Sequence, residues 1–142
     1  MRRLVIIVGL VAAAITVPAA VGDSGVLDIS PKQVKFGKHP FGSLLRETIT
    51  LTNTGTSPVL VDIETQEMPD DFSPGQPEST CTLPEDKLVG AGESCTHVVV
   101  WQSESGVFAG HRSATLAVIV KDPTDSSVIE THTVRLSALA VP

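Results

Sequence analysis

With 142 residues, the chain has room for one domain and little more. Hydrophobic residues make up 42%, too many for general disorder, while aromatics are only 4% and Tyr is absent, so the core must be built from Val, Leu, Ile and Ala. A formal net charge of −6 offers no footprint for nucleic acid or anionic lipid, both of which need clustered Lys and Arg, and reads as a solubilising surface.

The chain opens on a segment unlike the rest. Arg2 and Arg3 precede an uninterrupted apolar run from Leu4 to Val17, and Val17-Pro18-Ala19-Ala20 then sets small residues where a peptidase cuts. This order predicts a signal peptide over residues 1–20, cleaved near Ala20 to Gly22, and export of the remainder to the periplasm, cell envelope or exterior. The competing reading is an uncleaved anchor, since the run approaches the shortest bilayer span of about 17 residues. Membrane attachment is expected only in that case. Losing Arg2 and Arg3 takes the charge from −6 to −8. Gly22-Asp23-Ser24-Gly25 spells the motif around the nucleophile of trypsin-like proteases. It stands ahead of every strand in a chain too short for two barrels, so it is read as a leader without chemistry.

Alternation of apolar and polar residues dominates the remainder of the chain, and strands are predicted throughout. Val26 to Ile29 is a short first strand, broken at Ser30-Pro31, and Val34 to Phe36 resumes extended structure before Gly37. Glu47 to Thr52 alternates cleanly and ends at the turn Asn53-Thr54-Gly55-Thr56. Val59, Val61 and Ile63 mark the inward face of the next strand. Met68 to Pro84, rich in Pro and acidic residues, reads as a long connection with one short edge strand near Phe72 or Cys81. Ser94 to Gln102, Arg112 to Lys121 and His132 to Val141 are the strongest strands, and turn signals between them predict a three-stranded meander. The count is about seven strands with no convincing helix. That pattern predicts an all-β sandwich over residues 26–142.

Two cysteines, Cys81 and Cys95, both follow the leader. An even count in an exported small domain points to a disulfide, the alternative being two buried free thiols. Closing a loop of about 15 residues contributes about 3 kcal/mol in the chain-entropy picture.

The order of short motifs resembles the immunoglobulin-like family named after ASPM and Hydin, an ASH-like group whose bacterial relatives include choice-of-anchor D-like domains. Leu27-Asp28-Ile29-Ser30-Pro31 precedes Val34-Lys35-Phe36-Gly37, and Ile49-Thr50-Leu51-Thr52-Asn53-Thr54-Gly55 is followed by Pro58-Val59. Phe72 then precedes Cys81. Ala91-Gly92-Glu93-Ser94-Cys95 leads into a strand ending at Trp101, and Gly106 and Ala114-Thr115-Leu116-Ala117-Val118 close the pattern. Two details depart from it: Ser103 stands where the family has Pro, and Ser137 or Ala138 where it has Gly. The resemblance implies an immunoglobulin-like β-sandwich serving as a binding or scaffolding module without catalysis, and no shared ligand. No enzyme activity and no cofactor are expected.

Candidate sites are few. His39, His97, His111 and His132 show no paired ligand spacing. In the register that the meander's apolar faces favour, His97 falls opposite Leu116 and Leu136, and His132 opposite Val120. The side chains then do not converge, and no metal site is expected. Glu67, Asp70, Asp71 and Glu78 lack the alternation of a calcium loop and read as a stiff solvated segment. Trp101 alternates with Cys95 and Val99, so it is placed in the core rather than on a carbohydrate-stacking surface. If Cys95, Val99 and Trp101 face inward, Val98 and Val100 face out. Together with Ala117, Ile119, Leu139 and Val141 they would form an apolar patch on one sheet's outer face, a candidate partner surface. The alternative is that the chain's own long connection covers it. The leading functional expectation is an exported interaction or structural module that binds another protein through a sheet face or edge. The alternative is a small-ligand or carbohydrate binder, which needs a concave site of about 300 Å³ or more.

Overall fold

The computed structural model describes residues 25–81, 86–103 and 109–142. The expected signal peptide, Ser24 and Gly106 lie outside them. Among the described residues nine strands run in chain order: β1 (Leu27–Ser30), β2 (Gln33–Pro40), β3 (Leu44–Asn53), β4 (Val59–Glu67), β5 (Phe72–Pro74), β6 (Lys87–Val89), β7 (Ser94–Gln102), β8 (Gly110–Lys121) and β9 (Val128–Val141). No helix occurs among the described residues. Two sheets form, ordered β1-β3-β7-β5 and β2-β9-β8-β4-β6. All neighbours are antiparallel except β2, which runs parallel to β9.

Period-two alternation builds the core between the sheets. Leu27, Ile29, Ile49, Leu51, Cys95, Val99 and Trp101 bury from the first sheet, and Val34, Phe36, Val61, Leu116, Val118, Val134 and Leu136 from the second. Asn53 ends β3 and is fully buried. Its Nδ2 donates to the carbonyls of Ser57 (2.8 Å) and Val89 (3.0 Å), and its Oδ1 accepts the Gly55 N–H (2.9 Å). Its backbone bonds Glu93 and Gly92 in the turn before β7. One residue thus braces two turns, its side chain the one at Gly55 to Ser57 and its backbone the one at Gly92-Glu93.

The expected meander is not formed. β7 lies between β3 and β5 in the first sheet, whereas β8 and β9 pair in the second, so the chain changes sheets between Gln102 and Gly110. His97 therefore faces Ile49 rather than Leu116, and within the β8–β9 pair the register lies two residues from the expected one, so that His132 faces Val118 rather than Val120. Alternation determines which side chains point inward but does not name the neighbouring strand. With β7 in the other sheet, Val98 and Val100 share no face with Ala117, Ile119, Leu139 and Val141. Both valines are also buried, at 7% exposure each.

Candidate functional site

On the outer face of the first sheet Val98 and Val100 are buried, and the chain itself lies against Val98, while Asp28 and Thr48 stay exposed. After β5, the connection runs on along the free side of β7. The Gly75 N–H donates to the Val98 carbonyl (2.7 Å), and the Thr80 and Cys81 N–H groups donate to the Thr96 carbonyl (2.7 and 2.9 Å). Ser79 Oγ accepts the Val98 N–H (2.9 Å) and donates to the Gly75 carbonyl (2.9 Å). Gly75 packs so closely that a Cβ there would sit 2.5 Å from Val98 Cγ1. Arg46 is opposite Val100 on β3, and it reaches across β7 to Glu78 (3.2 Å). The Cys81–Cys95 disulfide, with Cα atoms 4.9 Å apart, ties the end of this cover to the start of β7.

At one end of the sandwich Asp71, just ahead of β5, meets Arg112 of β8. Arg112 Nε donates to Oδ2 (2.8 Å) and Nη2 to Oδ1 (2.9 Å), while Trp101 Nε1 donates to Oδ2 (3.0 Å). Burial alone would raise the Asp71 carboxyl. Hydrogen bonds from Arg112 and Trp101, with the guanidinium charge, outweigh it and hold the group below the usual carboxylate range. Trp101 is fully buried, as its alternation with Val99 requires, and its ring lies 6.0 Å from Phe36 and 6.4 Å from His39. Both oxygens of this carboxylate are occupied from within the fold. The cluster therefore fastens the two sheets together and has no reactive group to offer.

The four histidines are far apart in role. His97 is buried in the core with neither ring nitrogen hydrogen-bonded, and burial pushes its pKa down. His39 packs near Trp101, and His132 Nε2 lies 3.0 Å from Glu130 Oε1, the carboxylate that also accepts the Leu27 N–H. His111 stands on the outer face of β8. Among the described residues no group of three or more His, Cys, Asp or Glu is placed to hold a metal ion.

The outer face of the second sheet is open. Leu139 and Val141 of β9 and Ile119 of β8 point outward and are half-buried. Ala117 also points outward but lies between Glu64 and Thr133, whose longer side chains leave it buried. The alternation-based expectation thus keeps these four positions on one face and loses Val98 and Val100. Near Leu139 the sheet is interrupted by a bulge between Lys35 and Gly37, where Gly37 takes φ of 83°. The bulge opens a shallow groove of about 280 Å³ lined by Lys35, Lys38, His111, Ser137 and Leu139. Neither the shape of this groove nor the Asp71 cluster is visible to local sequence reading. The signal that could have pointed to the groove is the absence of any Asp or Glu from residues 31 to 46.

This architecture matches known proteins. The family model for the HYDIN/CFA65/VesB-like, Ig-like domain matches residues 25–135. The chain belongs to that family. The ASPM/Hydin-type resemblance in its short motifs is therefore shown, and family membership covers nearly the whole described region. Among solved structures, the ASH/PapD-like domain of human CEP192 (PapD-like domain 7) superposes with a TM-score of 0.66 at 13% identity, covering 94% of this chain and 97% of that one. The YadV chaperone gives 0.58 at 15% identity, covering 83% of this chain and 53% of that one, so the chain spans about half of the chaperone's length. The MSP-domain protein SSP-19 of Caenorhabditis elegans gives 0.55 at 15% identity, covering 79% and 98%. At such identities the shared property is the fold. No curated protein matches the chain in sequence.

Proposed function

We propose that the chain is a non-catalytic interaction module of an exported protein, acting in the cell envelope or extracellular space and binding another protein through the outer face of its second sheet. One observation carries this reading: the apolar side chains on the first sheet's outer face, Val98 and Val100, are buried, with residues 75–81 lying against β7, whereas the second sheet presents an open face with Ile119, Leu139 and Val141 and a groove at its β2 edge. Export is supported by the order of residues in the predicted leader and by the Cys81–Cys95 bridge, since disulfides persist in oxidising compartments. The fold is shared with proteins named as chaperones, including YadV and the E. coli chaperone DraB, and a chaperone acts on other proteins. The groove favours a second reading, a small-ligand binder, but at about 280 Å³ and open to solvent it falls just short of ordinary ligand cavities of about 300 Å³ and above.

The test is a pull-down from the organism's own envelope fraction with the mature domain. It is combined with N-terminal sequencing of the exported protein, which should begin near Ala20 to Gly22. Capture of a partner that a face-blocking variant such as Ile119→Arg loses supports the reading. Recovery of only a full-length membrane species overturns the cleaved-leader part, and identical capture by wild type and Ile119→Arg overturns the choice of face.

A further inference from the structure

We infer that the β2–β9–β8 corner of this open face docks an acidic stretch of the partner protein and seats one of its apolar side chains in the groove between Lys35, Lys38 and His111. The inference deepens the interaction-module reading and rests on it.

The charges are distributed unevenly over the molecule. Away from this corner three cations are matched within the fold, Arg46 with Glu78, Arg112 with Asp71, and Lys121 with both Asp62 and Asp86 at 3.0 Å, while Lys87 stands alone among the described residues at the opposite edge. Lys35, Lys38 and Arg135 pair with no carboxylate among the described residues. They sit together because β2 runs beside β9: Gln33 is opposite Arg135, Lys35 opposite Ser137 and Lys38 opposite Leu139. His111 is opposite Leu139 from the other side. β2, β8 and the part of β9 from Thr131 onward contain no Asp or Glu at all. The carboxylates of this face belong to β4, where Asp62, Glu64 and Glu67 lie opposite Ile119, Ala117 and Thr115. β2 and β4 are three strand spacings apart, about 14 Å, which exceeds the screening length of about 8 Å at physiological salt. A chain of net charge −6 therefore carries one cationic corner that its own acidic side does not neutralise.

The groove gives this corner its shape. Its lining brings Leu139 together with the two lysines, His111 and Ser137, and most of the lining surface is apolar. That arrangement is complementary to a segment with carboxylates on either side of an apolar side chain. Lysines on an edge strand also discourage unwanted strand pairing. Edge protection alone, however, does not account for His111, which lines the same groove from the inner strand β8, or for Arg135, two residues before Ser137 on the inner strand β9.

The experiment titrates the mature protein with a labelled peptide of alternating glutamate and leucine, and separately with vesicles containing phosphatidylglycerol. Amide shifts should concentrate at Lys35, Lys38, His111 and Leu139. Affinity should fall about tenfold or more in Lys35→Glu/Lys38→Glu, and should fall again as salt rises from about 0.01 M to about 0.1 M, where the screening length contracts from about 30 Å to about 10 Å. Lys87→Glu, at the opposite edge of the sheet, should leave affinity unchanged. All three lysines are exposed, so an unchanged thermal midpoint certifies each variant as folded. Equal loss in Lys87→Glu, absence of peptide binding at low salt, or binding to the vesicles alone overturns the inference. In the envelope pull-down, capture of the same partner by wild type and by Lys35→Glu/Lys38→Glu overturns the acidic dock and leaves the interaction module standing. Capture by neither overturns both.

Discussion

Arg112 and Asp71 join the two sheets through a pair of hydrogen bonds, 2.8 and 2.9 Å long, with the carboxylate buried and the guanidinium about a quarter exposed. Removing the cation strands a charge inside the protein. Arg112→Met should therefore cost about 3 kcal/mol, at the lower end for a broken buried pair because Arg112 keeps some water. Asp71→Asn should cost less, because it leaves no uncompensated negative charge. Urea unfolding of both variants checks the order. The Asp71 carboxyl is held low in the folded state, so its contribution is present above the unfolded value of about 3.9 and is lost as pH falls through the lower folded value. The wild type should lose more stability below about pH 4 than Asp71→Asn does.

His97 gives a second acid response, in a higher window. Its folded pKa is depressed by burial, so below the unfolded value of about 6.5 the unfolded chain binds a proton that the folded one refuses. Stability contributed by the neutral ring is present above about pH 6.5 and is lost as pH falls from there toward the folded value. His97→Leu has a similar volume and no unsatisfied nitrogens. It should be at least as stable as wild type at pH 7 and should show a flatter decline between about pH 6.5 and pH 5. A decline as steep as the wild type's would assign the acid response to another group.

The cover over Val98 leaves no room for a methyl group at Gly75. Gly75→Ala should destabilise by about 1–3 kcal/mol, as overpacking does. Shortening the neighbour in Gly75→Ala/Val98→Ala should recover part of that loss, a coupling that a thermal double-mutant cycle measures directly. Purely additive losses would mean that the connection sits elsewhere in solution.

Reducing the Cys81–Cys95 bridge should lower the unfolding free energy by about 3 kcal/mol, the loop-closure value for its sequence separation of 14. Because the bridge anchors residues 75–81, hydrogen exchange at the Gly75, Thr80 and Cys81 amides should accelerate before the amides of β8 and β9 do. Two alkylatable thiols in unreduced native protein would sink this prediction.

How far the sequence could be read depends on how local each signal is. Alternation is local, so the inward set of β7 (Cys95, Val99 and Trp101) and those of β8 and β9 are legible without a structure. Leu116 faces Val134 where alternation suggests Leu136, and this slip of two residues leaves every side chain on its expected side. Sheet membership is not local. β7 offers the same pattern whether its neighbour is β3 or β8, so Val98 and Val100 read as surface residues although both are buried, with residues 75–81 lying against β7. Asp71 sits in a stretch that composition marks as solvated, and its partner Arg112 comes 41 residues later. The cationic corner is written plainly in residues 31 to 46, but a net charge averages it away.

The lengths of the outermost strands limit how such a molecule can polymerise. β1 has four residues, β5 and β6 have three each, and only β2, with eight, exceeds the five or six residues of an ordinary strand. Beside β5 the ladder continues as irregular chain whose amides and Ser79 hydroxyl are already bonded to β7. A filament built by sheet extension needs a receptive border on both sides of each subunit, and among the described residues this one has a single long border. A second chain that pairs along β2 therefore terminates growth, yielding a closed two-body assembly and no fibre.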